Sequence, residues 1–516
     1  MKLIYNISDK PKAGQIIVFA IQQLLAIMAA TLVVPIIIGN NMSPAAALFG
    51  AGVGTLVYVL FTKAKSPVFL GSSFAFLGSM AAAFAGGVSM SLGYLGLILG
   101  AVSAGLVYVI IAIIVRFAGV KWISTLMPAV VIGPTVAIIG LSLAGNAIGD
   151  LTSPEYTKFY NPEEYTVVET VYANDEHSVV EFVNADGKTV NGTGSFAVIN
   201  EDGTINDKIT VSVNDDGSFT LSEKPGSKYI ALLCGLVTLA TVILASTFGK
   251  KMVKLIPFII GIGAGYATAA IFTVIGILSG NDGLRIIDFS YFTNLLVDGK
   301  VALSTFFAVP NFTFVTAFKG VGELSASYIV KIIVAYVPVA FVVFAEHIAD
   351  HKNISSIIGT DLLETPGLHR TLLGDGVGSM AGAFFGGCPN TTYGESVACV
   401  AITGNASVVT IITAAFGAIA ISFLSPFVAI VDSIPPCVMG GVCMALYGFI
   451  AVSGLKMIQK VNLEENRNLF VVSVILIAGI GGLTVSFGAV TITNIACALI
   501  LGILANLMLS KKDKKN

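Results

Sequence analysis

Cys388-Pro389-Asn390-Thr391-Thr392-Tyr393-Gly394-Glu395 interrupts sequence that is otherwise apolar on both sides. Proline and glycine break a helix. Non-helical backbone survives at membrane depth only where protein or a cavity satisfies its polar groups. Glu395 stands just after the break. A carboxylate at that depth costs roughly 2.5–3.5 kcal/mol to insert, so it is read as facing a pathway or a ligand. Ala345-Glu346-His347 carries a second such acid, directly after Phe341-Val342-Val343-Phe344. Two acids of this kind, one beside a broken helix, point to a transport site.

The composition agrees. The chain has 516 residues, 55% apolar and 11% charged, against about 25% charged in a soluble domain. An all-α polytopic membrane protein is expected. No Asp or Glu occurs between Lys10 and Gly149. The net charge of −2 sets an acidic loop against basic turns, and implies no nucleic-acid partner. All six cysteines lie in apolar segments and are read as packing residues, without disulfide or zinc spacing. No metal or cofactor site is expected. The first apolar run, from Ile16, is too long for a cleavable signal.

Spans are expected at 15–39, 44–62, 71–86, 92–115, 125–148, 229–247, 255–279, 327–349, 368–387, 392–403, 405–430, 436–453, 467–486 and 488–510, fourteen in all. Basic turns such as Lys63 and Lys65, Arg116 and Lys121, Lys250 to Lys254, and Lys456 and Lys460 all fall on one side. Both termini are therefore expected in the cytoplasm. Residues 150–228 form an insert with fifteen acids between Asp150 and Glu223. Its alternating pattern, as in Ser178–Val183, and its turns at Asp186-Gly187, Asp202-Gly203 and Asp216-Gly217 predict a small extracellular β-rich unit. It is either an inert spacer or a gating or partner-binding element.

Ser66-Pro67-Val68-Phe69-Leu70-Gly71-Ser72-Ser73-Phe74 forms a matching break in the first half. Broken segments at corresponding places in two halves mark the site of an inverted-repeat transporter, here seven spans plus seven. Amides near Gly71–Ser73 are free to bond a flat ligand, and Phe74 either stacks on it or is ordinary packing. Glu395 either accepts N–H donors of a cyclic imide or amide, or merely favours the helix dipole. Burial favours the neutral form of a carboxyl group, so Glu346 suits proton coupling. Asp350, one turn on, and His351 are expected near the cytoplasmic surface, as coupling groups or as a solvated helix end. His347 points away from Glu346, as a packing or a functional group. Asp375 either caps or pairs, or binds. One of Gln22 and Gln23 is a candidate to face the cavity.

These residues carry a resemblance. Gln22-Gln23-Leu24-Leu25-Ala26, Leu70–Phe76, Ala345-Glu346-His347-Ile348, Pro366-Gly367-Leu368-His369-Arg370, Pro389–Glu395 and Val438-Met439-Gly440-Gly441-Val442 resemble the nucleobase–ascorbate transporter family, its bacterial uracil permeases most of all. The resemblance covers nearly all of the chain outside 150–228. It implies a core domain (13–118, spans 1–4; 281–430, spans 8–11) and a gate domain (119–149, span 5; 229–280, spans 6–7; 431–510, spans 12–14). It implies an elevator-like motion, a possible homodimer and a bacterial cytoplasmic membrane. It implies import of uracil with a proton, bound by Glu346, Glu395, Phe74 and the main chain around Ala30, Tyr393 and Gly394, with Glu346, Asp350 and His351 coupling protons.

The chain departs from that pattern. Asp350 stands where uracil permeases carry histidine, and an acid there looks more like the purine branch. Gln23 stands at a position that is often histidine. Ser396 and Ala398 break the signature that follows the second acid, and Gly404 leans towards purine carriers. The rival expectations are a xanthine or related purine carrier, and an anion carrier of the related sulfate-transporter architecture. A membrane enzyme lacks a nucleophile elbow, phosphate loop or metal cluster to support it.

Overall fold

The computed structural model describes residues 3–119, 122, 128–153, 226–250, 252–297, 299–487 and 490–510, and six strands within 156–223. The protein is a mostly helical polytopic membrane protein. Eight described helical segments of eighteen residues or more, Ala129–Leu151 taken as one, are apolar enough to cross a bilayer.

The first four elements are α1 (Ala13–Ile38), α2 (Pro44–Phe61), the half-helix α3 (Leu77–Phe84) and α4 (Met90–Ala118). Local chemistry sets their ends. The Ser43 hydroxyl accepts the Ala46 N–H at 3.2 Å, and Pro44 opens the first turn of α2. Helices α5 (Ala129–Ser142) and α6 (Ala144–Leu151) lead to the insert. Helices α7 (Lys228–Phe248) and α8 (Pro257–Ser279) follow it. Then come α9 (Ala326–Ile358), α10 (Leu368–Gly386), the half-helix α11 (Gly394–Thr403), α12 (Val408–Ile421), α13 (Ser425–Asp432), α14 (Pro436–Ile458), α15 (Asn466–Ile480) and α16 (Asn494–Ser510).

Two packing groups emerge. Helix α2 packs against α10 and α12, and α4 against α9 and α10. Helix α14 packs against α5, α6 and α7, and α15 against α5 and α16. In lipid, helices associate by close approach over small residues. The α2–α10 contact illustrates it. A side chain at Gly50 would strike the Gly382 carbonyl, and one at Gly54 would strike that of Gly378.

Four expectations need correction. The span expected at 405–430 is two helices, because Ser422-Phe423-Leu424 turns and Pro426 opens α13. The spans expected at 467–486 and 488–510 are shorter. Gly482, at φ +71°, follows the end of α15, and Val485–Phe487 pairs antiparallel with Val490–Ile492 before α16. Their β-branched and aromatic residues favour extended backbone. Helix α9 continues nine residues past its expected end at 349, to Gly359 at φ +70°. Asp350 and His351 are therefore inside the fold and not at its surface. The strands of the two chain breaks also modify the all-α expectation.

The insert is β-rich, as its alternation predicts. Its strands form one six-stranded sheet, in sequence order 1-6-5-4-3-2, antiparallel except for Ser178–Val183 beside Gly194–Ile199. The three Asp-Gly turns lie outside the described residues.

Candidate functional site

The two chain breaks solve each other's problem. Strand β1 (Leu70–Ser72) pairs antiparallel with β2 (Asn390–Thr392), Leu70 opposite Thr392 and Ser72 opposite Asn390. The Ser73 N–H donates to the Pro389 carbonyl at 2.9 Å. Each break supplies hydrogen-bond partners to the other, which lets extended backbone persist deep in the membrane. The half-helices then start beside one another. Phe74 opens the turn that leads into α3, and Gly394 opens α11. Both present N-terminal N–H groups and a positive dipole end to the same space.

That space is a cavity of about 390 Å³. One wall comes from Ala26 of α1, Ser73 to Ala75, and Thr391 to Glu395. A stripe of α9 completes it: Glu346, Ala349, Asp350 and Asn353, spaced i, i+3, i+4 and i+7. The opposite wall is Ile132, Val136 and Ile139 of α5, Pro257 and Phe258 of α8, and Leu446, Phe449 and Ile450 of α14. The cavity thus lies between the two packing groups.

Glu346, Glu395 and Phe74 are half-buried at this surface, and Asp350 is buried. The Thr392 hydroxyl donates to Asp350 Oδ2 at 2.9 Å, tying α9 to β2. Glu346 lies within electrostatic reach of Glu395, and Asp350 of both. Phe74 meets Tyr447 of α14 edge-on, with ring centroids 6.2 Å apart. The Tyr393 hydroxyl donates to the Ser72 carbonyl at 2.6 Å, locking the ring across the ribbon. Carboxyl groups from α9 and α11 and free N–H groups at the starts of the two half-helices line the same cavity, an arrangement that matches a planar heterocycle carrying both donors and acceptors.

Of the expected residues, the fold brings together Glu346, Asp350, Phe74, Tyr393, Gly394 and Glu395. It does not bring in Ala30 or His351. Ala30 is buried one turn beyond the lining, and Ala26 takes that place. His351 is fully buried on another face of α9, where its Nδ1–H donates to the His347 carbonyl at 2.8 Å and its Nε2 bonds the Tyr58 hydroxyl at 2.7 Å. His347 stacks on His351 at 4.0 Å, and its Nδ1 meets Asp375 Oδ2 at 2.7 Å. Asp375 therefore pairs and takes no place in the lining. Neither Gln22 nor Gln23 faces the cavity.

The sequence reading missed Asn353, Lys254 and Thr392 as lining residues. Asn353 was within reach of helical spacing, three residues past Asp350. Lys254 was not, because its element packs from the other group. It missed Ser396 as well. The Ser396 hydroxyl accepts the Phe69 N–H at 2.9 Å and the Gln23 side-chain amide. Two of the departures from the family pattern, Gln23 and Ser396, meet there, where one hydroxyl satisfies a backbone donor freed by the break. Ser396→Ala is expected to lower stability by about 1–3 kcal/mol, the usual effect of orphaning a buried donor. A thermal melt of the purified variant in detergent measures it, and an unchanged midpoint would refute it.

A family model described as "Permease family" (Xan_ur_permease) matches residues 14–171 and 217–487. The uracil permease of Bacillus caldolyticus is 34% identical over 512 residues, covering 98% of this chain and 95% of that one. The uracil permease of Escherichia coli K12 is 30% identical over 500 residues, covering 96% and 92%. Among solved structures, the transmembrane domain of a cyanobacterium bicarbonate transporter, BicA, shares the fold with a TM-score of 0.55 at 14% identity, covering 97% of this chain and 99% of that one. Murine Slc26a9, an anion transporter in the inward-facing state, matches with a TM-score of 0.55 at 9% identity, covering 98% and 70%. These two likenesses bear on fold alone. With the family model matched over most of its length and relatives aligned nearly end to end, the chain belongs to the nucleobase–ascorbate transporter family of permeases and is a multi-pass membrane transporter, not an enzyme.

Proposed function

We propose that this transporter imports uracil together with a proton across the bacterial cytoplasmic membrane. The observation that carries the reading is the cavity that Glu346 and Glu395 share with the N-termini of two half-helices. Carboxylate oxygens accept the ring N–H groups of a cyclic imide, backbone N–H groups meet its carbonyls, and Phe74 covers its face. Protonation of the acid cluster neutralises it and changes which conformation is stable. One proton moving down about 100 mV supplies roughly 2.3 kcal/mol, enough for about 50-fold accumulation.

In this reading fourteen segments form a seven-plus-seven inverted repeat, with both termini cytoplasmic and the β-rich insert outside. The group of α1–α4 and α9–α13 is the core. The group of α5–α8 and α14–α16 is the gate, along which the core slides like an elevator and through which two copies of the chain would pair. A cavity bounded by both groups supports this, since relative motion opens it.

Uptake of labelled uracil in competition with unlabelled uracil, xanthine and urate tests the proposal. Uracil is expected to compete and the purines not, and a protonophore is expected to abolish accumulation. Stronger competition by xanthine would transfer the assignment to a purine base, in keeping with the acid at Asp350. Accumulation indifferent to the protonophore would remove proton coupling.

A further inference from the structure

The half-helix that carries Glu395 is short. Helix α11 has ten residues, starts at the cavity and stops at Gly404. A helix of that length is marginal on its own, and the carbonyls at its end need donors from elsewhere. Residues 3–9 reach that end from the other side of the sequence. The Ile4 and Tyr5 N–H groups both donate to the Gly404 carbonyl, at 2.7 and 3.2 Å. In return the Tyr5 carbonyl accepts the Ala406 N–H at 2.9 Å, and the Ile7 carbonyl accepts the Val408 N–H at 3.1 Å. The Ser407 hydroxyl donates to the Asp9 carbonyl at 2.6 Å.

Side chains anchor the segment as well. Leu3 packs on the buried cluster that contains Val397 and Val400 of α11, and Ile7 on the one that contains Tyr393 and Val408. The Tyr5 hydroxyl donates to Gln15 Oε1 at 2.7 Å, which ties the segment to the first turn of α1. Gly404 stands at the junction. Its φ of +67° lies in the left-handed region. A Cβ there would stand 3.3 Å from Ile4 Cγ1 and 3.4 Å from the Ile4 nitrogen, so a larger residue presses on the segment at its bonded end. Gly404 lies outside the cavity lining.

We propose that residues 3–9 are a positioning strap that holds α11, and with it Glu395, in place at the cavity. Gly404 then serves the docking of the strap and not the choice of base. The docking stands on the hydrogen bonds, whereas its effect on uracil rests on the function proposed for Glu395.

Hydrogen exchange of the purified transporter, combined with uptake of labelled uracil, tests the strap in Ile4→Pro, Ile4→Ala and Gly404→Lys. Proline removes the Ile4 N–H, whereas alanine keeps it and trims an exposed side chain. In Ile4→Pro the Ala406 and Val408 amides are expected to exchange about fivefold faster, the factor that one hydrogen bond is worth. KM for uracil is expected to rise by a similar factor, with the maximal rate per inserted carrier unchanged. Ile4→Ala is expected to match the wild type in both. Gly404→Lys is expected to follow Ile4→Pro, with the relative inhibition by xanthine and uracil unchanged. Wild-type exchange in Ile4→Pro would overturn the strap. Faster exchange with an unchanged KM, or with only the maximal rate reduced, would overturn its positioning role. A changed inhibition ratio in Gly404→Lys would return that residue to the choice of base. Exchange involves no base, so a wild type that takes up no uracil would remove the proposed function while the exchange rates still decide the strap, and KM is then read for the base that competes best.

Discussion

Glu346→Ala and Glu395→Ala are each expected to reduce labelled-uracil uptake at least about 100-fold, with the protein reaching the membrane at its normal level. A hydrogen bond to a charged group is worth about 1.5–3 kcal/mol. An acid that holds a ring through two such bonds therefore accounts for about two orders of magnitude or more in affinity. The two residues come from different helices, α9 and α11. Each contributes a different edge of the site, and neither replaces the other. The lining also contains Asp350, and like charges in one cavity repel. If the acids served only as a repulsive cluster, removing one would leave uptake intact or raise it. Wild-type uptake in either variant would therefore end the proposed binding role. Glu346→Gln separates binding from coupling, because the amide retains an acceptor but takes up no proton. It is expected to keep measurable uracil binding and lose accumulation.

Asp375→Ala is expected to destabilise the folded transporter by about 1–3 kcal/mol, the usual effect of leaving a buried polar group without its hydrogen-bond partner. His347 and Asp375 are both fully buried, and their side chains meet at 2.7 Å. The other ring nitrogen of His347 bonds the Thr371 hydroxyl at 3.0 Å. The pair fastens α9 to α10 and sets the rotation of α9 about its axis. That rotation turns Glu346 and Asp350 into the cavity. A large drop in melting midpoint in detergent is the expected result. The double variant His347→Leu/Asp375→Leu is expected to recover much of the loss, since replacing both partners leaves no orphaned polar group. A midpoint unchanged in Asp375→Ala would show that the pair is dispensable for the fold.

The legible part of the site follows from the period of a helix and the chemistry of a break. Glu346 and Asp350 were readable as one face because i and i+4 must align, and Glu395 because a proline-interrupted span must start again with free N–H groups. What remained illegible involves partners far apart in sequence. Ser396 was visible only as a departure from a pattern, because its donors at Gln23 and Phe69 lie more than 300 positions away. His351 was placed among the coupling groups because it adjoins Asp350. One residue is about 100° of helix, and that step carries it to Tyr58. The α12–α13 turn and the strands before α16 were hidden inside apolar runs, where hydropathy does not separate helix from bend or strand.

Membrane residence, the positions of the two breaks and the presence of acids beside them were written in the linear chain, because desolvation penalties and helix-breaking residues act locally. That the breaks pair as antiparallel strands, that two packing groups enclose one cavity, and which face of α9 looks into it were settled by three-dimensional packing. Glycine contacts such as Gly54 against Gly378 and the His347–Asp375 pair fix those relations, and none of these partners is a neighbour in sequence.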